Sequence, residues 1–189
     1  MPLSFILSAC PYESTVPLVA RPTELVDTTL IGYWYGIISD GSDYFGIEAL
    51  EVTKKSDSLY SITRYGKGIK GDIVLPDTAY YTGFISYIGD VRFMNVEGSV
   101  IIVTPPTKKQ PELRKEKKFY YLSSIEQRKD TLSVKTIVED FTISRRALNT
   151  PEVLNSLVTD LLGQKKSIYD EVYSLSYRKI PKPKPIKPL

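Results

Sequence analysis

The chain has 189 residues, 42% hydrophobic and 25% charged, which suits one domain with a sizeable core and excludes global disorder. It contains no His and one Cys, so the commonest general base and metal ligand, any internal disulfide and any Cys-rich metal site are all absent. The net charge of +3 is unevenly placed: residues 108–118 carry +4 and residues 179–189 another +4, leaving −5 for the rest. Cations gathered on appendages of an acidic body, not spread among aromatics over one folded face, argue against nucleic acid as a partner.

The chain opens with a short apolar run ending in Leu7-Ser8-Ala9-Cys10. A branched apolar residue and two small residues before a cysteine have the form of a bacterial lipobox. Small residues let a peptidase approach the backbone, and the freed cysteine then carries the lipid. Two or more acyl chains, at about 0.8 kcal/mol per buried methylene, anchor stably where one does not. Cys10 is therefore the expected lipidation site, and residues 1–9 read as a signal remnant. That remnant is uncharged and shorter than the usual apolar region, so a start further upstream or a truncation would supply the rest. The alternative is a buried Cys opening a cytosolic domain. Residues 10–29, with Pro11, Pro17 and Pro22, read as an extended tether. No other apolar stretch approaches 18 residues, so no transmembrane helix is expected.

The body, residues 30–178, reads as a run of short strands. "LIGYWYGIIS" is β-branched and aromatic and ends at "DGSD". In "FGIEALEVTKK", Ile47, Ala49 and Glu51 share one face and Leu50 and Val52 the other; "SLYSITRYG" alternates in the same way after a turn at 54–57. Three glycines and a proline make residues 66–78 a loop with at most a short strand. "YYTGFISYIGDVRFMNV" is a hairpin with Gly89 supplying positive φ at the first position of a type II′ turn. "SVIIVT" reads as a short buried strand and "PPTKKQPELRKEKK" as a basic loop. A further hairpin turns at Lys129-Asp130, with Leu132, Val134, Thr136 and Val138 on one face, and "FTISRRA" prolongs it.

The period then changes. Thr150 as N-cap, Pro151 at the first helical position and Glu152 in the first turn begin an amphipathic helix over 151–162, stopped at Gly163. Tyr173, Leu175 and Tyr177 alternate in a last strand. Residues 179–189 alternate proline with lysine and read as a disordered, polyproline-like tail. Eight or nine antiparallel strands must bury one face, and closing into a barrel also removes exposed edges. The expected fold is mostly β: an antiparallel up-and-down barrel with one C-terminal amphipathic helix, the alternative being a two-sheet sandwich.

Gly32-Tyr33-Trp34 on the first strand resembles the Gly-x-Trp of the lipocalins, a calycin-type barrel family. The whole chain also resembles small bacterial lipoproteins that join a lipobox, a "PYES"-type opening and a barrel-like body. The resemblance implies that Trp34 plugs the closed end beside Gly32, with a late basic residue, Arg145 or Arg146, lying over it. By residue type alone, Trp34 could equally stack on a ligand.

Catalytic constellations are missing, so the protein is expected to be non-enzymatic and to use no cofactor or metal. Asp40 and Asp43 could offer a weak Ca²⁺ site, or merely Asx turns, which fit two isolated carboxylates better. Tyr80, Tyr87 and Tyr121 are the candidate ligand-binding residues, as apolar walls with polar tips, or else they face outward. The basic segments either touch anionic headgroups or are simply solvated. Two functions follow: an envelope lipoprotein, at the outer membrane in preference to the inner, binding a small apolar ligand or lipid; or a filled barrel docking another envelope protein. A hollow interior of several hundred Å³ separates the first from the second.

Overall fold

Eight strands, each hydrogen-bonded antiparallel to the next, close on themselves when the last pairs with the first. In the computed structural model, which describes residues 11–39, 45–70, 73–106, 113–138, 148–166 and 168–183, they are β1 (Gly32–Ser39), β2 (Phe45–Lys54), β3 (Tyr60–Lys70), β4 (Ile73–Ile88), β5 (Val91–Thr104), β6 (Leu113–Arg128), β7 (Thr131–Ile137) and β8 (Tyr169–Ile180). Helix α1 (Pro151–Gly163) lies between β7 and β8. The barrel, not the sandwich, is the fold, and no helix among the described residues is long and apolar enough to cross a membrane. Closure runs from Tyr33–Ile180 to Gly36–Tyr177.

The turns follow local chemistry. Gly89 has φ +55° at the first position of the β4–β5 turn, as expected, while Lys129 takes the same left-handed conformation between β6 and β7 at φ 55°. Val153 donates its amide to the Thr150 hydroxyl at 3.4 Å, the predicted N-cap, and Leu154, Leu157 and Val158 form the buried stripe of α1.

Four regions differ from the sequence-based expectation. Residues 66–70 and 73–78 are strand and not loop: β3 and β4 pair continuously from Tyr60–Gly83 to Lys70–Ile73. Backbone pairing to flanking strands overrides the low β-propensity of their glycines. "SVIIVT" is strand but not buried, since Val100 to Val103 are all exposed, and half of the expected basic loop, from Leu113, is its strand partner. Lys179 belongs to β8 and not to a disordered tail. Within the expected tether, residues 11–29 pack against the barrel: Leu18 is fully buried between α1 and the outer wall, beside Phe93, Leu122 and Ile137. Asn95 accepts the Leu18 amide at 2.8 Å and Asn155 donates to the Leu18 carbonyl at 3.2 Å, so this segment is clamped from both sides. Residues 1–10, 40–44 and 139–147, with Cys10, Asp40, Asp43, Arg145, Arg146 and the expected prolongation of the sheet, lie outside the described residues.

Two cores result. One lies outside the barrel wall under α1 and the N-terminal segment. The other fills the closed end of the barrel with Leu30, Trp34, Tyr60, Ile85 and their neighbours. Above this second core the interior is hollow.

Candidate functional site

Period-two alternation places Leu50 and Val52 of β2, Ile62 of β3, Met94 and Val96 of β5, and Val134 of β7 inside the barrel, where they wall a cavity of about 450 Å³. The floor is Leu30, at the end of a 3-10 turn over Thr28–Leu30. The wall is mainly apolar, and besides Tyr173 and the Ser123–Thr136 pair, whose hydroxyls are 2.9 Å apart, its polar groups form two clusters.

The first cluster is Glu48, Arg64 and Tyr177. The Glu48 carboxylate accepts the Tyr177 hydroxyl at 2.6 Å and the Arg64 guanidinium at 3.1 Å. Glu48 and Tyr177 are buried, while Arg64 reaches solvent. Burial, then the negative charge and hydrogen bond of Glu48, hold the Tyr177 hydroxyl well above its ordinary pKa, so it remains a donor. The charges of Glu48 and Arg64 compensate each other, which leaves a polar but nearly neutral patch on an apolar wall.

The second cluster is aromatic. Tyr121 stands edge-on to Phe119, with centroids 5.1 Å apart, and to Tyr81 at 6.4 Å. Tyr81 and Tyr121 both line the cavity. The Tyr121 hydroxyl donates to Glu13 at 3.0 Å; burial, then this hydrogen bond and charge, push its pKa up. Glu13 comes from the N-terminal segment, which enters where β6 and β7 part. The last β6–β7 rung is Ser123–Thr136, and beyond it Ser14 pairs with Tyr120 of β6 while the Tyr12 amide donates to Ile137 of β7 at 2.9 Å. Pro11 thereby becomes part of the cavity wall.

Of the candidate ligand-binding tyrosines, Tyr121 lines the cavity and two do not. Tyr80 points outward and is 76% exposed, because its neighbour Tyr81 takes the inward position. Tyr87 shares the strand face of Tyr81 and Ile85, but it lies beside the β4–β5 turn at the closed end and is 48% exposed. Sequence reasoning missed Glu48, Arg64 and Tyr177. A signal for the first was present, since Glu48 falls on the same strand face as Leu50 and Val52, a lone charge in an apolar row.

Trp34 is fully buried and plugs the closed end. Its indole N–H donates to the Leu30 carbonyl at 2.9 Å. Among the described residues, the cation over its ring is Lys179, with Nζ 5.1 Å from the centroid and donating to the Thr29 carbonyl at 2.7 Å. Gly32 makes this possible. Its φ of +141° disfavours a side chain, and a Cβ there would stand 2.8 Å from Cε of Lys179.

Among the described residues, no group of three His, Cys, Asp or Glu side chains is placed to hold a metal ion. Neither a family model, a curated protein nor a solved structure matches the chain.

Proposed function

We propose that the chain is a non-enzymatic envelope lipoprotein, held at a membrane through a lipid on Cys10, whose lipocalin-like barrel binds a small apolar ligand or lipid. The observation that carries the reading is the apolar-walled cavity of about 450 Å³ above a packed floor. Pockets of about 300–1,000 Å³ with few polar groups are the usual form of small-molecule sites. The compensated Glu48–Arg64 pair favours a ligand whose inner part carries no net charge. Tyr81 and Tyr121 offer it flat apolar walls with hydroxyl tips. The alternative, a barrel filled to normal density that docks another envelope protein, has no use for such a cavity.

The test is binding of the fluorescent apolar probe N-phenyl-1-naphthylamine to the full chain. Val134→Trp projects a large ring into the cavity, and it should sharply reduce probe fluorescence while leaving the far-ultraviolet circular dichroism unchanged. Undiminished probe binding by a folded Val134→Trp variant would refute the reading. Native mass spectrometry of protein from its source cells should then show the retained ligand. Labelled palmitate should mark the wild type and not Cys10→Ala.

A further inference from the structure

The β5–β6 hairpin outruns the barrel. The last β4–β5 rung is Thr82–Glu97, but β5 and β6 stay paired as far as Thr104–Leu113. All residues of 99–104 and 113–118 are exposed, so both faces of this two-stranded ribbon stand in water. At its root the Phe119 ring lies on Gly98, where a Cβ would meet ring carbons at 2.5 Å.

The ribbon is segregated strand by strand. Its β5 arm holds Val100, Ile101, Ile102 and Val103, from 46% to 67% exposed, and its β6 arm holds Arg114, Lys115, Lys117 and Lys118 with Glu116 as the one acid. Such an apolar arm, unpaired by β4, is a hazard unless something covers it. Register then sorts the side chains by face. Val100 pairs with Lys117, Ile102 with Lys115 and Thr104 with Leu113, and alternation puts these on the side continuous with inward-facing Val96 and Tyr121. That face combines Val100, Ile102 and Leu113 with two lysines and no carboxylate. Lys118, on the other face, is occupied by Glu97 at 2.7 Å.

We propose that this face of the ribbon docks on an anionic lipid bilayer, seating Val100, Ile102 and Leu113 at the acyl boundary with Lys115 and Lys117 among the phosphates. The charge pattern matches that surface: ammonium groups on flexible stems remain at headgroup level while their apolar neighbours sink past them. Position agrees. The ribbon rises from the rim where Ser14 pairs with Tyr120, so residue 11 and the ribbon leave the barrel at the same end. Docking there turns the cavity mouth towards the bilayer. The proposal does not rest on ligand binding by the cavity.

The experiment is vesicle co-sedimentation of the full chain carrying Cys10→Ala, so that no acyl group contributes. Vesicles of phosphatidylcholine alone are compared with vesicles containing phosphatidylglycerol. Binding should require the anionic lipid and weaken with salt. It should fall by about tenfold or more in Lys115→Glu/Lys117→Glu and again in Ile102→Asp. Both variants should still bind the naphthylamine probe, which separates loss of docking from loss of the cavity. Equal binding by the variants, equal binding to neutral vesicles, or none to either would overturn the proposal. So would an Ile102-dependent dimer in sedimentation velocity without vesicle binding, which would assign the β5 edge to a second copy of the chain.

Discussion

The Tyr177 hydroxyl donates to Glu48 at 2.6 Å inside the barrel, and the Tyr177 ring that carries it lies against the backbone of Gly36. A Cβ at Gly36 would stand 2.9 Å from that ring, so the glycine sets how deeply Tyr177 seats. Tyr177→Phe should destabilise the fold by about 1–3 kcal/mol, because Glu48 loses a buried donor. Glu48→Gln should cost a similar amount, about 1–3 kcal/mol, since Arg64 loses its counter-charge but still reaches water. The double variant should lose less than the sum in urea unfolding, as both changes remove one shared interaction.

The same pair predicts an alkaline limit. Burial, reinforced by Glu48, holds the folded pKa of Tyr177 above its unfolded value of 10.0. The unfolded chain therefore releases this proton first as pH rises. The stabilisation is complete below pH 10.0 and is lost as pH climbs from there through the folded value. Tyr120, raised to about 12 by burial and then by Glu97, adds to the same slope. Urea midpoints measured at pH 9 and at progressively higher pH should decline in the wild type, and less steeply in Tyr177→Phe.

The closed end is tested through Gly32 and Lys179. Gly32→Ala should destabilise by about 1–3 kcal/mol from backbone strain, with a further contribution from contact with the Lys179 stem. Lys179→Ala in the same chain removes the contact and not the strain, so it should rescue part of the loss. Alone, Lys179→Ala should cost about 0.5–2 kcal/mol for the cation–π contact and the bond to Thr29. Thermal unfolding of the four proteins closes the cycle. Full rescue by Lys179→Ala would show that crowding, and not φ, makes glycine necessary.

Local patterns carried most of the barrel. Alternation marks the strands, Gly89 and Lys129-Asp130 mark two turns, and Thr150-Pro151-Glu152 marks the helix start. Three features were hidden because their causes are not local. Strand pairing of residues 66–70 depends on partners in β2 and β4, and that of residues 73–78 on β3, and this pairing outweighs the glycines. The N-terminal segment shows no periodic apolar face, and Leu18 is held by Asn95, which is 77 residues away. "SVIIVT" has the composition of a buried strand, and only the early end of the β4–β5 ladder leaves it outside. For the cavity, period two sorts tyrosines into inward and outward, but it cannot say which phase is inward until a neighbouring residue is known to be buried.

Asn95 provides a test of the N-terminal clamp. It is fully buried on the outer face of β5, donates to Ser86 at 2.8 Å and accepts the Leu18 amide. Asn95→Leu leaves that amide and the Ser86 hydroxyl without their partner and should cost about 1–3 kcal/mol. Hydrogen exchange should show the effect first at Leu18 and at the Ser14 and Tyr120 amides, while the Trp34 end remains protected. Uniformly faster exchange would mean that the segment opens only with the whole barrel.

Asp27 ties the other end of this segment to the barrel. Its amide donates to the Tyr60 hydroxyl at 2.7 Å, and its carboxylate accepts from Thr29 at 2.6 and 2.9 Å and from Arg92 at 2.9 Å. Burial works towards a higher pKa, but the bonds from Thr29 and Arg92 outweigh it and hold Asp27 below its ordinary value of 3.8. The folded chain keeps this group ionised to lower pH than the unfolded chain does. The stabilisation is complete above the unfolded pKa and disappears as pH falls through the folded one. Because the carboxylate is partly solvated, its worth is small, of order a few tenths of a kcal/mol to 1 kcal/mol. Between pH 5 and pH 2.5 the urea midpoint of the wild type should therefore drop further than that of Asp27→Asn. The Asn side chain still caps the 3-10 turn at Thr29, so the difference isolates the charge shared with Arg92. Parallel acid profiles for the two proteins would place the acid sensitivity in other carboxylates, with Glu97, held low by Lys118 and Tyr120 against its burial, as the next to replace.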